Sequence, residues 1–166
     1  MKKIIAILLA ACLCLGLCAC GNAGKKEETA PAGPTDEDLK EAVELIKSAH
    51  DDIVSISTIL LDEWSLSSWF KDYFDEEYNG SNEDKVMVHE HRASAKDALS
   101  EAKAKMGTDG TGDYYNAVKE YYKTVKVFWD FVSTYPEGYS ELTFSNTLTE
   151  YKTNCANAYA ELGFYS

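Results

Sequence analysis

The sequence predicts an all-α protein, an up-down-up-down four-helix bundle that follows a disordered linker. Proline is absent between Pro34 and Pro136, and glycine is confined to a few clusters. Between these clusters the apolar residues recur at helical spacing, and no segment shows the alternation that is typical of a strand. Four amphipathic segments joined by short connections favour a bundle in which successive helices are antiparallel.

The first predicted helix begins at Thr35, whose side chain suits an N-cap, and three acidic residues follow at the positive end of the helix dipole. We expect it to continue, with a kink near the serines, as far as Asn79-Gly80. Its apolar residues recur mainly at spacings of three, four or seven, with Ile56 joining from the flank; they are Leu39, Val43, Ile46, Ile53, Ile56, Leu60 and Trp64.

The second and third predicted helices have complementary faces. The second is capped by Ser81, with Asp84 completing a pattern like a capping box, and ends at Gly107. Its apolar face is thin and consists of Val88, Ala95, Ala98, Leu99, Ala102 and Met106. The third begins at Thr111 or Asp113 and has a bulkier face made of Val118, Tyr121, Tyr122, Val125, Phe128, Trp129 and Val132.

The fourth predicted helix, capped by Ser140 or Thr143, has apolar residues spaced 4, 3, 4, 3, 4, 3, as in the seam of a bundle helix. They are Phe144, Leu148, Tyr151, Cys155, Ala158, Leu162 and Tyr165. This spacing places Cys155 in the core, where apolar surroundings raise a thiol pKa and hide the sulfur from reagents.

The N-terminus has the layout of a secretory signal peptide. Lys2 and Lys3 precede an apolar run over residues 4–19, which is shorter than the about 20 residues that a membrane-spanning helix needs. At its end, Leu17-Cys18-Ala19-Cys20 followed by Gly21 resembles the lipobox of bacterial lipoproteins. The resemblance implies cleavage before Cys20 and a diacylglyceryl group on the Cys20 sulfur.

This resemblance sets the expected domains and location. Residues 1–19 are the lipoprotein signal peptide, residues 20–34 the lipidated cysteine and linker, and residues 35–166 the bundle. The protein is then anchored on the outer face of the bacterial cell membrane, or on an outer membrane. The alternatives are a second lipobox match at Leu9-Ala10-Ala11-Cys12, an ordinary signal cut elsewhere, and an uncleaved anchor.

The net charge of the chain limits the classes of molecule that it is expected to bind. Loss of Lys2 and Lys3 with the signal leaves 14 Lys and Arg against 28 Asp and Glu, a formal charge of −14. Such an excess argues against nucleic acid and against adhesion to anionic lipid, since both need clusters of cations. The expected partners are the membrane, through the lipid anchor, and an envelope protein or cell-wall glycan. We expect no cofactor beyond the diacylglyceryl modification.

The sequence contains no pattern that predicts an enzyme. His89 and His91 are two positions apart and point about 200° from each other on a helix, so one metal cannot take both. The Glu-x-x-His pattern of di-iron bundles is absent, and no serine lies in a nucleophile elbow. We therefore expect a protein that is not an enzyme.

One acidic segment partly resembles an EF-hand calcium loop. Asp75, Glu77 and Asn79 fall at positions 1, 3 and 5 of such a loop, Gly80 at position 6 and Glu83 at position 9. Position 12, which normally holds a bidentate glutamate, is a valine. The pattern favours an acidic solvated turn, and a weak calcium site is the alternative.

Residues 64–78 are unusually rich in aromatic side chains, namely Trp64, Trp69, Phe70, Tyr73, Phe74 and Tyr78. These six cannot share one narrow helical stripe, so some should be partly exposed and suited to stacking on sugars, cationic groups or a partner protein. The alternative is that they cap the open end of the bundle.

Taken together, these features predict an acidic helical module that binds or scaffolds in the cell envelope. The alternative function is a sensor or carrier of a small ligand or metal ion.

Overall fold

The computed structural model describes residues 33–64, 70–74 and 82–165. Within these ranges the chain forms four α-helices and no strand, which confirms the all-α four-helix bundle. They are α1 (Asp36–Asp62), α2 (Glu83–Met106), α3 (Asp113–Ser133) and α4 (Glu141–Leu162), with a 3₁₀ helix (Phe70–Phe74) between α1 and α2. Ala32–Ser166 is one compact unit. No helix in the described part of the chain has both the length and the apolar character needed to cross a membrane.

Successive helices run antiparallel. Lys105, near the end of α2, forms an ion pair with Glu41, near the start of α1. Phe131, near the end of α3, stacks on Phe144, near the start of α4, with 5.3 Å between ring centroids. α1 packs against each of the other three helices, whereas α2 and α4 lie on opposite sides of the bundle and make few contacts.

Several predicted helix ends are confirmed. The backbone N–H of Asp38 donates to Thr35 Oγ1 at 3.1 Å, and the N–H of Thr35 donates to Asp38 Oδ2 at 2.9 Å, which completes a capping box. Ser140 caps α4 by accepting a hydrogen bond from the N–H of Thr143 at 3.2 Å. Gly107 ends α2 with a φ of 60°.

Other predicted helix ends were wrong. α1 ends at Asp62 and does not continue to Asn79-Gly80. A straight extension over those 17 or so residues would run about 25 Å past the bundle and leave its aromatic residues without a core. The N-cap of α2 is Asn82 instead of Ser81, and it accepts from the N–H of Lys85 at 2.9 Å.

The predicted apolar faces form the core. Every predicted α1 position is buried except Trp64, which is half-buried. In α4 the seam buries Phe144, Leu148, Cys155 and Leu162, whereas Tyr165 lies beyond the helix end and is exposed. Tyr115 is a core residue that the sequence pattern did not reveal. A Cβ atom at Gly110 would come within 2.2 Å of the Tyr115 ring, so this ring requires a glycine there.

Candidate binding site at the aromatic end of the bundle

Five aromatic rings close one end of the bundle, where α1 and α3 end and α2 and α4 begin. We call this group, Trp64, Phe70, Phe74, Tyr135 and Phe144, the aromatic tip. The centroid of Phe70 lies 4.7 Å from that of Trp64, 5.4 Å from Phe74 and 6.2 Å from Tyr135. Trp64 also stacks on Phe144 at 4.6 Å. The 3₁₀ helix therefore folds back over the end of the bundle and seals its core.

The structure divides the six aromatic residues predicted for partner binding. Phe70 and Tyr73 are buried, and Trp64 and Phe74 are half-buried. Phe70 and Tyr73 therefore cap the bundle and offer little surface to a partner, because the chain turns back at the tip instead of continuing outward as a helix. Trp69 and Tyr78 lie outside the described residues.

Arg92 of α2 joins the 3₁₀ helix to the end of α3. Its guanidinium donates from Nη1 to the Tyr73 carbonyl and from Nη2 to the Val132 carbonyl, the second at 3.0 Å. The same group lies over the Phe74 ring, 4.9 Å from the centroid. Carbonyls in the last turn of a helix lack intrahelical hydrogen-bond donors and carry partial negative charge. The Arg92 guanidinium supplies both the donors and the positive charge.

Lys85 is a second cation under the tip and is only 6% exposed. Its Nζ lies 3.0 Å from Asp72 Oδ2 in the 3₁₀ helix and 5.3 Å from the centroid of the Tyr73 ring. A buried ammonium without its carboxylate is strongly destabilising, so this pair fixes where the 3₁₀ helix docks.

A pocket of about 500 Å³ opens beside the tip. Its described lining is Lys71, Asp72, Phe74, Ser133, Thr134 and Tyr135. Phe74 and Tyr135 meet edge to face with 5.6 Å between centroids. The Ser133 hydroxyl is buried and has no hydrogen-bond partner among the described residues. The lining thus combines aromatic surface with hydroxyl, ammonium and carboxylate groups, a mixture suited to a small polar ligand.

A larger groove of about 860 Å³ lies toward the other end of the bundle, beside Tyr114 and Tyr159. Its described lining comes from all four helices, mainly from α1 and from the end of α4, and includes Glu37, Glu41, Val43, Glu44, Leu45, Glu101, Tyr114, Tyr159 and Leu162. The groove therefore lies between helices, at the end of the bundle where α1 begins and α4 ends. We regard the smaller pocket at the tip as the better candidate site, because Phe74 and Tyr135 offer aromatic surface beside hydroxyl and charged groups, whereas four glutamates line the groove.

The described residues do not assemble a metal site. Among them, no group of three or more His, Cys, Asp and Glu side chains is placed to hold a metal ion. Glu83 is the exposed first residue of α2, whereas Asp75, Glu77 and Asn79 lie outside the described residues, so the calcium-loop prediction stays a prediction.

His50, His91 and Cys155 each pack within the bundle or link two of its helices. His91 Nδ1 lies 2.7 Å from Asp52 Oδ1 and links α2 to α1. His50 packs against Phe128 at 6.2 Å between centroids, and burial lowers its pKa. Burial raises the pKa of the Cys155 thiol to about 11, so the sulfur is a neutral core group at neutral pH.

Sequence reasoning missed Arg92, Ser133 and Tyr135. One signal was available for Arg92, because it is the only arginine among the chain's 16 Lys and Arg residues. A planar guanidinium can donate to two carbonyls at once, which the compact ammonium of lysine does less well. No comparable signal marks Ser133 or Tyr135, which are far in sequence from the 3₁₀ helix that they face.

Comparisons of the chain with known protein families, with curated proteins and with solved structures find no match. Cys20 and the rest of the lipobox lie outside the described residues.

Proposed function

We propose that the protein is a membrane-anchored extracytoplasmic lipoprotein whose acidic bundle is a binding module of the cell envelope, with its ligand site at the aromatic tip. The observation that carries this proposal is the position of the pocket. The linker joins the bundle at Thr35, at the start of α1, whereas the pocket lies where α1 ends. The proposed ligand site is thus one bundle length away from the end of the bundle that follows the predicted membrane anchor.

The expected reach supports a target away from the lipid surface. α1 has 27 residues and is therefore about 40 Å long. The predicted anchor at Cys20 precedes Thr35 in the sequence, so the length of α1 separates the tip from the end of the bundle that follows the anchor. This separation suits a target such as cell-wall glycan or the domain of another envelope protein.

The chemistry of the pocket favours a glycan as the ligand. Aromatic rings stack on the apolar faces of sugars, and the hydroxyl of Thr134 with the carboxylate of Asp72 can accept hydrogen bonds from sugar hydroxyls. Lys71 is the cation of this lining and can pair with an acidic substituent. The formal charge of −12, which becomes −14 if the predicted signal peptide is removed, argues against a ligand that is a dense polyanion.

Binding to isolated cell wall tests this proposal. We expect Tyr135→Ala to weaken co-sedimentation of the purified lipoprotein with cell-wall material about tenfold, the loss that corresponds to about 1.4 kcal/mol. Tyr139→Ala is the matched control, because Tyr139 is 40% exposed, close to the 42% of Tyr135, and does not line the pocket. Equal binding by both variants would exclude the tip as the glycan site.

The anchor has a separate test. Cys20→Ala removes the sulfur that would carry the diacylglyceryl group, so we expect the protein to move from the membrane fraction to the soluble or precursor pool. Continued labelling of the Cys20→Ala protein with a fatty-acid probe would show that the lipid is attached elsewhere.

The alternative function is that of a sensor or carrier for a small ligand or a metal ion such as calcium. The pocket volume of about 500 Å³ favours it, because sites for small molecules commonly measure about 300–1,000 Å³. A thermal melt with a chelator, calcium, zinc, amino acids and cell-wall fragments tests this function. A ligand at 100 times its dissociation constant adds about 2.7 kcal/mol to stability, so the correct one raises the melting temperature by several degrees.

A further inference from the structure

The solvent side of α4 carries a second regular row of side chains, opposite the core seam. We call this row the outer face of α4; its members are Leu142, Asn146, Thr149, Thr153, Ala156 and Ala160. They are spaced 4, 3, 4, 3, 4, all are exposed, and none is charged. In a chain with 27% charged residues, such a face over most of a 22-residue helix is unusual. Its spacing is that of a helix–helix seam.

Large apolar side chains mark both ends of this face. Leu142 at its start is 71% exposed, and Phe164, just past the end of α4, is 85% exposed. They are the two most exposed large apolar side chains of the described residues. Exposed apolar groups aligned on one face indicate a surface that another molecule covers.

The two threonines of the face can be covered at small cost. Thr149 Oγ1 donates to the Ser145 carbonyl at 3.0 Å, and Thr153 Oγ1 donates to the Thr149 carbonyl at 2.8 Å. Because both hydroxyl donors are used within α4, covering them leaves no unpaired hydroxyl donor, and the Asn146 amides of two copies can bond to each other. The small residues also allow a second helix to approach closely.

The charges on the two flanks of the face are opposite in sign. Glu150 and Lys152 are two positions apart, so they point about 200° from each other, one on each side of the outer face. Lys152 is half-buried and has no ion-pair partner among the described residues. Burial without such a partner lowers its pKa. A carboxylate supplied by another molecule would satisfy it.

We propose that the outer face of α4 pairs with the same face of a second copy, with the two α4 helices parallel. A two-fold axis parallel to the helices brings Glu150 of each copy to the flank where Lys152 of the other copy lies. A two-fold axis perpendicular to them, which gives an antiparallel pair, brings Lys152 toward Lys152 instead. The excess of acidic residues makes charged surfaces of two copies repel each other, so self-association is more favourable through this uncharged face.

The parallel pair also suits two copies anchored in one membrane, and this part of the inference rests on the proposed lipid anchor. The linker of each copy would leave at the same end of the pair, and both aromatic tips would point away from the membrane. Anchoring raises the effective concentration of the two faces, which allows a seam with few large apolar residues to pair.

Cysteine crosslinking in membranes of cells that express the full chain tests the pairing. We expect Asn146→Cys and Thr153→Cys each to form a disulfide-linked dimer on mild oxidation. Ser100→Cys, on the exposed side of α2, is the matched control and should stay monomeric. The buried Cys155 of the parent chain should give no dimer. Absence of dimer at both α4 positions would overturn the proposal.

Co-expression of Asn146→Cys and Ala160→Cys chains with tags of different size separates the possible pairs. The parallel pair predicts that each variant links to itself. Exclusive formation of the mixed 146–160 dimer would show an antiparallel pair, and links to a different protein would show another partner; either result overturns the proposal.

A charge placed in the seam gives a second test. Addition of Thr153→Asp to the Asn146→Cys chain should reduce the linked fraction at least tenfold, because two carboxylates then meet at the two-fold axis. Unchanged linkage would contradict the proposed seam.

Fractionation of the same cells keeps this inference separate from the anchor. Dimer found in the soluble fraction would support the pairing and contradict the lipid anchor. Monomer found in the membrane fraction would support the anchor and contradict the pairing.

Discussion

Replacement of Arg92 by methionine should be among the most damaging single changes near the tip. The guanidinium makes two charged hydrogen bonds to backbone carbonyls, those of Tyr73 and Val132. Hydrogen bonds that involve a charged group contribute about 1.5–3 kcal/mol each, and the stacking on Phe74 adds about 0.5–1 kcal/mol. Methionine keeps much of the apolar volume, and water can reach part of the freed carbonyl surface. We therefore count only the two hydrogen bonds, at the lower end of their range, and expect a loss of about 3 kcal/mol.

Urea unfolding followed by circular dichroism at 222 nm measures this loss. For a domain of this size, about 3 kcal/mol corresponds to a fall in melting temperature of roughly 10 °C. Arg92→Lys should recover about half of the stability, because an ammonium keeps the charge but not the planar pair of donors. Lys96→Met, at an exposed position one turn along α2, is the matched control and should change stability by less than about 0.5 kcal/mol. A loss below 1 kcal/mol for Arg92→Met would refute the claim that this residue holds the tip.

Three further predictions concern other parts of the bundle. Cys155 of the folded protein should resist thiol reagents at pH 8 and react only after denaturation, as mass spectrometry can show, because it is buried and its pKa is raised to about 11. Burial lowers the pKa of His50, so as the pH falls below about 7 the unfolded chain binds a proton at this residue before the folded protein does. The free energy of unfolding should therefore decrease from pH 7 toward pH 5. Urea unfolding at each pH should show a smaller decrease for His50→Gln. Thr35→Ala removes the capping box with Asp38 and should cost about 1 kcal/mol in the same assay; no loss would mean that the start of α1 frays in the native protein.

The sequence was sufficient to predict the helices, because each must bury one face along most of its length. In α4 the core positions at Phe144, Leu148, Cys155 and Leu162 follow from the 4-3 spacing alone. In α2 the small apolar residues gave a weaker pattern, and the predicted face was still correct. Apolar periodicity is a property of a continuous segment, so it can be read without knowledge of the neighbouring helices.

The tip was beyond this kind of prediction, because it depends on contacts between separate segments. Phe70 and Phe74 continue the apolar spacing of α1 well enough to favour a longer helix, although the chain breaks after Asp62. The docked 3₁₀ helix is stabilised by burial of Phe70 and Tyr73 and by contacts with Arg92 and Lys85 of α2. A rule based on local spacing does not include cations that are supplied by the next helix.

The tip and the middle of the bundle should differ in local stability. The middle of the bundle is held by apolar burial over four helices, whereas the 3₁₀ helix is held by Arg92, by the Lys85–Asp72 pair and by the rings of the tip. Local opening of a short element held by a few polar contacts costs less than global unfolding. The 3₁₀ helix should therefore open at a smaller free-energy cost than the unfolding of the four helices. A ligand that binds the docked 3₁₀ helix would stabilise the tip first, so the stability of the tip and ligand binding in the pocket should be coupled.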